Sequence, residues 1–429
     1  MNLTKNDIKQ EVGRQGKMDL LADLYGYSSN DQSCLERISR LVQAAGSGPC
    51  QLFSAPGRTE LGGNHTDHNN GLVLCAAVRH DALAVVRPNQ TDEVVVHSEG
   101  YPTPFKVDFQ NLATQPNETG TTTALIRGVL AGIKRQGGEL GGFEAWITSA
   151  VGIGSGLSSS ASFEVVIGTI VNHLFNNRRI LAEEIARIGQ FAENTYFGKP
   201  CGLMDQSASA LGGILEIDFE NHESIGIRKI DYDMDSTGYQ LAVVNVGSDH
   251  ADLTPAYAAI PVEMKSVARE LDGLVLRSVI PEDLFANIPQ LRNSAGDRAI
   301  QRALHYFSEN RRVKQMADAL LSNDFTGFLN LVGASGNSSQ NLLQNIIPPT
   351  TTGREQSMAL ALGIAGFFFD ERGRGVVRVH GGGFAGTIQA YVHLNDYSDF
   401  CELMDSVFGA GATEELLLRM AGACHVLDI

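Results

Sequence analysis

Apolar residues recur at helical spacing in several stretches of the 429-residue chain. One such stretch, 33–46, predicts a helix that stops at Gly46. Four apolar residues share its buried face: Leu35, Ile38, Leu41 and Val42. The same spacing predicts helices over 123–137 and 181–198, and helices dominate from about 261 to 347.

Short apolar runs bounded by turn-forming residues predict strands elsewhere. The first is a short strand over 51–58 that ends in a turn, and the others are 71–78, 82–88, 92–98, 142–151, 212–219 and 239–247. A hairpin around a glycine turn is predicted over 375–392. The C-terminal segment is predicted to be helical.

Strands and helices mix along the chain without a strict alternation of strand, helix and strand, which favours an α+β fold over a doubly wound parallel sheet. The chain is too long for one hydrophobic core, so two domains are expected. The polar stretch 219–237 is the best candidate boundary. We therefore predict an N-terminal domain over 1–225 and a C-terminal domain over 226–429.

Composition and charge narrow the class of protein. Hydrophobic residues make up 43% of the chain and charged residues 19%, which is ordinary for a globular protein. The net charge of −16 argues against nucleic acid or an anionic membrane as the main partner, since both require a basic surface. The six cysteines form no C-x-x-C motif, the N-terminus lacks an apolar signal region, and no apolar run approaches ~20 residues. We expect a cytoplasmic protein with reduced thiols.

The segment GIGSGLSSSAS (152–162) carries the strongest chemical signal. Glycines let backbone N–H groups approach an anion closely, and three serines stand where the next helix begins. The first turn of a helix has unpaired N–H groups and a partial positive charge, so phosphate binds there. A simple serine cap after a flexible loop is the plainer alternative. A Walker-type loop requires a lysine that is missing here, and a dinucleotide fingerprint requires a small residue where Leu157 stands.

A second glycine run, GGGFAG (381–386), matches G-x-G-x-x-G, but strand-forming residues follow it instead of a helix. A tight hairpin turn remains the alternative interpretation. The H-R-D and D-F-G motifs of protein kinases are absent.

Two further segments hold polar groups suited to chemistry. GRTELGGNHTDHNNG (57–71) combines four glycines with short polar side chains, which suits a loop that binds a ligand rich in hydroxyl groups. In FAENTYFGKPCGLMDQSASALGG (191–213), Asp205 follows an apolar run, where an acid is either paired or used. From the residues alone, a structural role for Asp205 is as plausible as a catalytic one.

Taken together, these segments resemble the galactose, homoserine, mevalonate and phosphomevalonate (GHMP) kinases. SAPGRTELGGNHTDHNNG resembles the sugar-loop signature of the galactokinase branch, GIGSGLSSSAS the second family motif and HGGGFAG the third. The segment with CGLMDQ also resembles galactokinases. The motifs run in order from about residue 55 to about residue 385, so the resemblance covers nearly the whole chain.

The resemblance implies a fold, a reaction and a set of roles. The fold has an N-terminal domain of the ribosomal-protein type and a ferredoxin-like C-terminal domain, with the active site between them. The reaction is ATP-dependent phosphorylation of galactose at the C1 hydroxyl, with Mg²⁺. We expect a monomer that has neither nucleic acid nor a membrane as a partner. The implied catalytic residues are Arg58 and Asp205, and the implied metal ligands are Ser160 and Glu193. The sugar would contact Asn64, His65, Asp67, Gly202 and Tyr257. The phosphates would contact Gly152, Gly154, Ser155, Gly156, Leu157, Ser158, Ser159 and Ser160.

The chain departs from the family pattern around the implied sugar pocket. Asn64 stands where a glutamate facing the sugar C6 hydroxyl is usual, and Glu60 replaces an earlier asparagine. Further departures are Gly62, His68, Ala385 and the pair Ile260–Pro261, which follows Tyr257 where two arginines are usual. These changes leave open a kinase for another sugar, namely N-acetylgalactosamine, a pentose or a uronic acid. Two separate alternatives are a non-catalytic sensor of galactose and ATP and a metallohydrolase built on His65, Asp67 and His68.

Overall fold

The structure is a computed structural model that describes residues 5–26, 33–152, 156–199, 201–221, 225–247, 253–349 and 353–429. Thirteen helices occur in this part of the chain: α1 (Lys5–Arg14), α2 (Met18–Tyr25), α3 (Ser33–Ala45), α4 (Thr122–Arg135), α5 (Ser159–Phe175), α6 (Ala182–Phe191), α7 (Met204–Leu211), α8 (Thr254–Glu270), α9 (Pro281–Ser294), α10 (Asp297–Leu321), α11 (Phe325–Ser338), α12 (Ser357–Arg372) and α13 (Tyr397–Phe408).

Twelve strands occur in the same ranges: β1 (Gln51–Gly62), β2 (Leu72–Pro88), β3 (Glu93–Ser98), β4 (Phe105–Asp108), β5 (Phe143–Ser149), β6 (Ile214–Asp218), β7 (Gly226–Ile230), β8 (Tyr239–Asn245), β9 (Val376–Val379), β10 (Thr387–His393), β11 (Thr413–Leu416) and β12 (Cys424–Asp428). They form two sheets. The first has eight strands in the order β12-β1-β2-β5-β3-β4, with β6 paired to β2 and β7 to β6. The second has four strands in the order β11-β8-β10-β9.

Strand pairing confirms the α+β class. Only β3 and β5 pair in parallel among the described strands, and every other pairing is antiparallel. Helices α4 to α7 cover one face of the first sheet, and α1 to α3 pack on its other face. The second sheet has α12 and α13 on one face and α10 and α11 on the other. Along β10, Ile388 and Ala390 face one side while Tyr391 faces the other, as the period of two requires.

The sequence prediction was wrong about the first two strands. We expected a short strand that ends in a turn near Arg58, but β1 runs on to Gly62. The strands predicted over 71–78 and 82–88 are one long strand, β2. The reason is that β1 and β2 pair along most of their length, and register shifts between Pro56 and Arg58 and between Glu60 and Gly62 absorb the proline and glycines. Segment 63–71 is therefore the connection at the tip of a long hairpin.

The C-terminal prediction was partly wrong. Helix α13 is present, but β11 and β12 follow it, and β12 pairs with β1 at the edge of the first sheet. The predicted hairpin over 375–392 is confirmed by the pairing of β9 with β10. Because β7 and β12 both belong to the first sheet, residues on each side of position 225 share it. The domain boundary at 225 stays a prediction.

Candidate functional site

The hairpin connection 63–71 has a backbone that depends on its glycines. Gly63 has a φ of +92°, and a Cβ there would lie 2.5 Å from the carbonyl oxygen of Leu72. A Cβ on Gly71 would lie 2.6 Å from Cβ of Thr66. His65 and Asn70 also take left-handed conformations. The glycines thus let a nine-residue connection fold tightly enough to direct short polar side chains toward one place.

The second glycine segment meets this hairpin at Arg58. The predicted phosphate residues Gly154 and Ser155 lie outside the described residues, while Gly152 and 156–160 lie within them. The Arg58 N–H donates to the carbonyl oxygen of Leu157 at 3.0 Å, and the Arg58 guanidinium donates to the carbonyl oxygen of Gly156. Helix α5 begins immediately afterwards, at Ser159. The N-terminus of a 17-residue helix therefore opens beside Arg58, which is the arrangement that binds phosphate.

Ser158 does not act as a simple helix cap. It precedes α5 with a φ of +62°, and its side chain makes no capping hydrogen bond. Its hydroxyl donates instead to the carboxylate of Asp205. The geometry therefore does not support a capping role for Ser158.

Arg58 and Asp205 form a two-pronged ion pair across 147 positions of sequence. Nε of Arg58 lies 2.6 Å from Oδ1 of Asp205, and Nη2 lies 2.9 Å from Oδ2. Arg58 comes from β1 and Asp205 from the first turn of α7. The Arg58 side chain is buried, whereas that of Asp205 is 29% exposed, so a ligand can reach the Asp205 side chain.

The electrostatics of this pair keep Asp205 ionised. Burial by itself raises the pKa of Asp205, but the charge and hydrogen bonds of Arg58, with the Ser158 hydroxyl, outweigh burial and lower it. Burial likewise opposes the charge on Arg58, and Asp205 more than compensates, so the pKa of Arg58 is raised. The site therefore holds a carboxylate and a guanidinium that both stay charged at neutral pH.

A second carboxylate lies at the N-terminus of α5. Oγ of Ser160 is 3.0 Å from Oε1 of Glu193, and Nζ of Lys199 is 3.3 Å from the same oxygen. The amide of Gln206 donates to Oε2 of Glu193 at 2.9 Å and to Oε2 of Glu164 at 3.0 Å. Burial, reinforced by the charge of Glu193, raises the pKa of Glu164 well above its ordinary range. Glu193 itself lies in the π-helical segment Ala192–Phe197 that extends α6.

Ser160 and Glu193 fit a magnesium ion by their chemistry. Mg²⁺ prefers oxygen ligands and is held in phosphate-binding sites by one or two protein groups together with the substrate phosphates. A hydroxyl and a carboxylate 3.0 Å apart beside a helix N-terminus meet this requirement. The described residues contain no group of three or more His, Cys, Asp and Glu side chains placed to hold a metal ion. The proposal of a metal centre at His65, Asp67 and His68 gains no support within them.

The third glycine segment completes the site from the second sheet. The ring Nε2 of His65 lies 2.9 Å from the carbonyl oxygen of Gly382, and the hydroxyl of Tyr257 donates to that of Gly383 at 2.7 Å. A Cβ on Gly156 would lie 2.8 Å from Nδ1 of His380. All three glycine-rich segments thus meet at one place, although 381–386 is a hairpin turn, as the plainer interpretation held.

Of the predicted sugar contacts, Asp67 and Gly202 lie side by side. A Cβ on Gly202 would collide with Oδ2 of Asp67, so a side chain at 202 would displace this carboxylate. Burial, with the nearby His68, lowers the pKa of His65 to about 4, so His65 is neutral at pH 7. Burial also raises the pKa of Tyr257 to about 12. These groups offer a carboxylate, a neutral imidazole and a phenol, all of which can bond to hydroxyl groups.

Asn64 is directed into the protein instead. Its amide donates to the carbonyl oxygen of Gly381 at 2.6 Å and to Oε1 of Glu60 at 3.1 Å, and its oxygen accepts from Nδ2 of Asn345 at 2.8 Å. The residue is 1% exposed. Because its donor and acceptor are already engaged by protein groups, this geometry does not place Asn64 among the groups that face a sugar.

Glu60 does not replace the missing acid. Its carboxylate accepts from Nη2 of Arg378 at 2.6 Å, and both side chains are buried. Burial raises the pKa of Glu60, with Arg378 opposing the effect. Of the altered residues after Tyr257, Ile260 is fully buried, and Pro261 lies within α8 and is half-buried.

Sequence reasoning missed the polar side chains of α10 that surround the hairpin connection, and it missed Lys199. Three residues of α10 bond to the connection, namely His305, Tyr306 and Glu309, and Asn310 bonds to Leu72, the first residue of β2. The only signal available was their spacing, since 305 and 309, and 306 and 310, are four residues apart on a helix. Nothing in the sequence alone tells which partner such a face contacts.

Two family models and several known proteins match this chain. Residues 124–213 match the GHMP kinases N-terminal domain, and residues 41–88 match the galactokinase galactose-binding signature. A galactokinase of Streptomyces coelicolor is 30% identical over 372 residues, which is 86% of this chain and 92% of that protein. A galactokinase of Actinobacillus pleuropneumoniae serotype 5b is 32% identical over 80% of this chain and 85% of its own length.

Solved structures share the fold. The crystal structure of Lactococcus lactis galactokinase complexed with galactose has a TM-score of 0.74 at 22% identity, covering 96% of this chain and 99% of that one. The Methanococcus jannaschii mevalonate kinase has a TM-score of 0.61 at 16% identity, covering 88% and 99%. None of the helices in the described ranges combines the length and the apolar character that a membrane span requires.

Proposed function

The chain belongs to the galactokinase family, and from that premise we propose that it transfers the γ-phosphoryl group of ATP to the C1 hydroxyl of galactose, giving galactose 1-phosphate and ADP. The observation that carries this proposal is the ion pair of Arg58 and Asp205 beside the N-terminus of α5. It brings a hydroxyl acceptor, a fixed positive charge and a phosphate cradle together. Phosphoryl transfer requires mainly these three, because its catalysis consists of positioning and charge stabilisation.

In the proposed step the C1 oxygen of galactose bonds to the γ-phosphorus as the bond from that phosphorus to the β,γ-bridging oxygen breaks. The bridging oxygen leaves with ADP. The hydroxyl proton passes to the Asp205 carboxylate. Since Arg58 lowers the pKa of Asp205, this carboxylate is a weak base, so we infer that it orients the hydroxyl and takes the proton late in the step.

The proposed binding of ATP depends on backbone N–H groups and on charged side chains. The amides at the start of α5 face the phosphates, and Arg58 stabilises charge on the transferred group. Ser160 and Glu193 are the residues that would hold Mg²⁺, which when bound neutralises phosphate charge. Lys199, whose side chain is 63% exposed beside Glu193, is a further cation within reach of a phosphate.

The sugar side rests on Asp67, Gly202, His65 and Tyr257. A carboxylate can accept from two neighbouring hydroxyl groups, which selects their stereochemistry. An unmatched buried hydroxyl costs ~1–3 kcal/mol, so a wrong epimer is penalised. A monomeric state and a cytoplasmic location complete the proposal, and size-exclusion chromatography tests the former.

The test is a sugar panel with the purified full-length chain. ADP release is followed with galactose, 2-deoxygalactose, fucose, galacturonate and N-acetylgalactosamine, and we expect the highest kcat/KM with galactose. Phosphorylation at C1 removes the reducing end, so loss of reducing sugar must match ADP release. Higher kcat/KM on another member of the panel would replace galactose as the substrate. Sugar and ATP binding without ADP release would mean a sensor instead of a kinase.

A further inference from the structure

Helix α10 presents a polar face to the hairpin connection 63–71. His305 and Glu309 stand one turn apart, as do Tyr306 and Asn310, so all four side chains share one side of the helix. His305 and Glu309 are 0% exposed and Tyr306 is 1% exposed. Buried polar side chains on a helix are retained where they satisfy partners, and here the partners are backbone groups of the connection.

Two of the four hold the first end of the connection. Oε1 of Glu309 accepts from the N–H of Gly63 at 3.0 Å, and Nε2 of His305 lies 2.9 Å from the carbonyl oxygen of Asn64. Glu309 is fixed in turn by Ser335 on α11, whose hydroxyl donates to the same oxygen. Arg312 donates to the other oxygen of Glu309, so protein groups hold both carboxylate oxygens.

The other two hold the second end. The hydroxyl of Tyr306 donates to the carbonyl oxygen of Asn69 at 3.0 Å, and Oδ1 of Asn310 accepts from the N–H of Leu72 at 2.8 Å. Gly71 lies close to the side chain of Asn310, since a Cβ on Gly71 would lie 2.6 Å from Oδ1 of Asn310.

The residues between the two ends are the ones that carry sugar chemistry. The four hydrogen bonds from α10 fall on Gly63, Asn64, Asn69 and Leu72, whereas His65 and Asp67 lie between them. Backbone hydrogen bonds inside the connection satisfy the carbonyl groups of Gly63, Thr66 and Asp67, and the side chains of α10 satisfy other backbone groups at its two ends. Holding both ends fixes the middle without covering it.

We propose that this face of α10 positions the sugar-binding connection, so that Tyr306 and Glu309 set galactose affinity without touching the sugar. The inference rests on the proposed function, because it assigns the sugar to segment 65–68. The helix lies about 240 positions away in sequence from the residues it positions. We therefore expect substitutions on this face to change the KM of galactose and to leave the KM of ATP unchanged.

Three variants test the proposal, each assayed for the KM of galactose, the KM of ATP, kcat and Tm. Glu309→Ala removes the acceptor for Gly63, and we expect the KM of galactose to rise about tenfold or more with the KM of ATP unchanged. Glu309→Gln keeps an oxygen for the same N–H and should restore most of the affinity. Tyr306→Phe keeps the ring and removes the hydroxyl, so it should fold and raise the KM of galactose severalfold.

Leu320→Ala is the matched control. Leu320 is buried near the end of the same helix and packs in the core between the helix and the second sheet. Its loss should lower Tm and leave the KM of galactose as in the wild type. The proposal is overturned if Tyr306→Phe and Glu309→Ala keep the wild-type KM, or if Leu320→Ala raises it equally. A wild-type chain inactive on galactose would overturn the proposed function first, so the two failures are told apart.

Discussion

Replacing Asp205 with asparagine removes one charge from the site and almost no volume. In the wild type, both carboxylate oxygens accept from Arg58, at 2.6 and 2.9 Å, and one also accepts from Ser158. The amide of Asp205→Asn offers one acceptor and one donor, so one prong of the ion pair is lost. Arg58 is then left buried without its counter-charge.

The expected cost to stability is moderate and the expected cost to turnover is large. Breaking a fully buried pair costs ~3–5 kcal/mol, and the 29% exposure of the Asp205 side chain reduces this to about 2 kcal/mol. Losing the group that orients and accepts the proton should lower kcat by about 10²–10⁴-fold, or ~3–5 kcal/mol of barrier. A domain with ~5–15 kcal/mol of stability stays folded through the first loss, so the two effects separate.

The assay measures kcat for galactose phosphorylation and Tm for the same preparation. The control is Glu118→Gln, because Arg127 and Glu118 form a similar two-pronged pair, both at 2.7 Å, with side chains 9% and 18% exposed. We expect both variants to lose similar stability and only Asp205→Asn to lose turnover. Wild-type turnover in Asp205→Asn, or an equal loss in Glu118→Gln, would refute the role assigned to Asp205.

Three further predictions concern the neighbouring groups. Arg58→Met keeps the burial that raises the pKa of Asp205 and removes the charge that lowers it, so the acid limb of the kcat/KM profile should move to higher pH, and an unmoved limb would contradict this coupling. In the wild type, the contribution of the ion pair to stability is complete above about pH 4 and is lost as the pH falls through the lowered pKa of Asp205. Lys199→Met should weaken ATP binding more than ADP binding and leave galactose binding unchanged, as measured by calorimetry. If the variant and the wild type bind ATP equally well, Lys199 is only a solvated partner of the Glu193 carboxylate. Gly202→Ala should raise the KM of galactose and leave the KM of ATP unchanged, because its Cβ collides with the Asp67 carboxylate. An unchanged KM of galactose in steady-state kinetics would show that the two residues do not shape the pocket together.

The first two strands show where sequence reasoning failed. The prediction placed a turn at Arg58 because proline and glycine precede it. In the structure β1 continues through this segment, since bulges against β2 absorb both residues. A local pattern reports turn-forming residues but not the partner strand that keeps such a segment extended.

Asn64 shows the same limit at the site. Its position in the resemblance implied a sugar contact, whereas its side chain is engaged by Glu60, Gly381 and Asn345. Two of those partners lie more than 270 positions away in sequence. No spacing rule within segment 57–71 could have identified them.

The sequence by itself determined the glycine-rich segments, the helix that follows residues 152–158 and the residue types available for chemistry. These depend on local properties, since backbone freedom at glycine and apolar spacing on a helix do not require a distant partner. Tertiary structure alone decided that Arg58 meets Asp205 and that α10 holds both ends of the connection 63–71. Those contacts depend on strand register and on the packing of one sheet against the helices of another, which involve residues far apart along the chain.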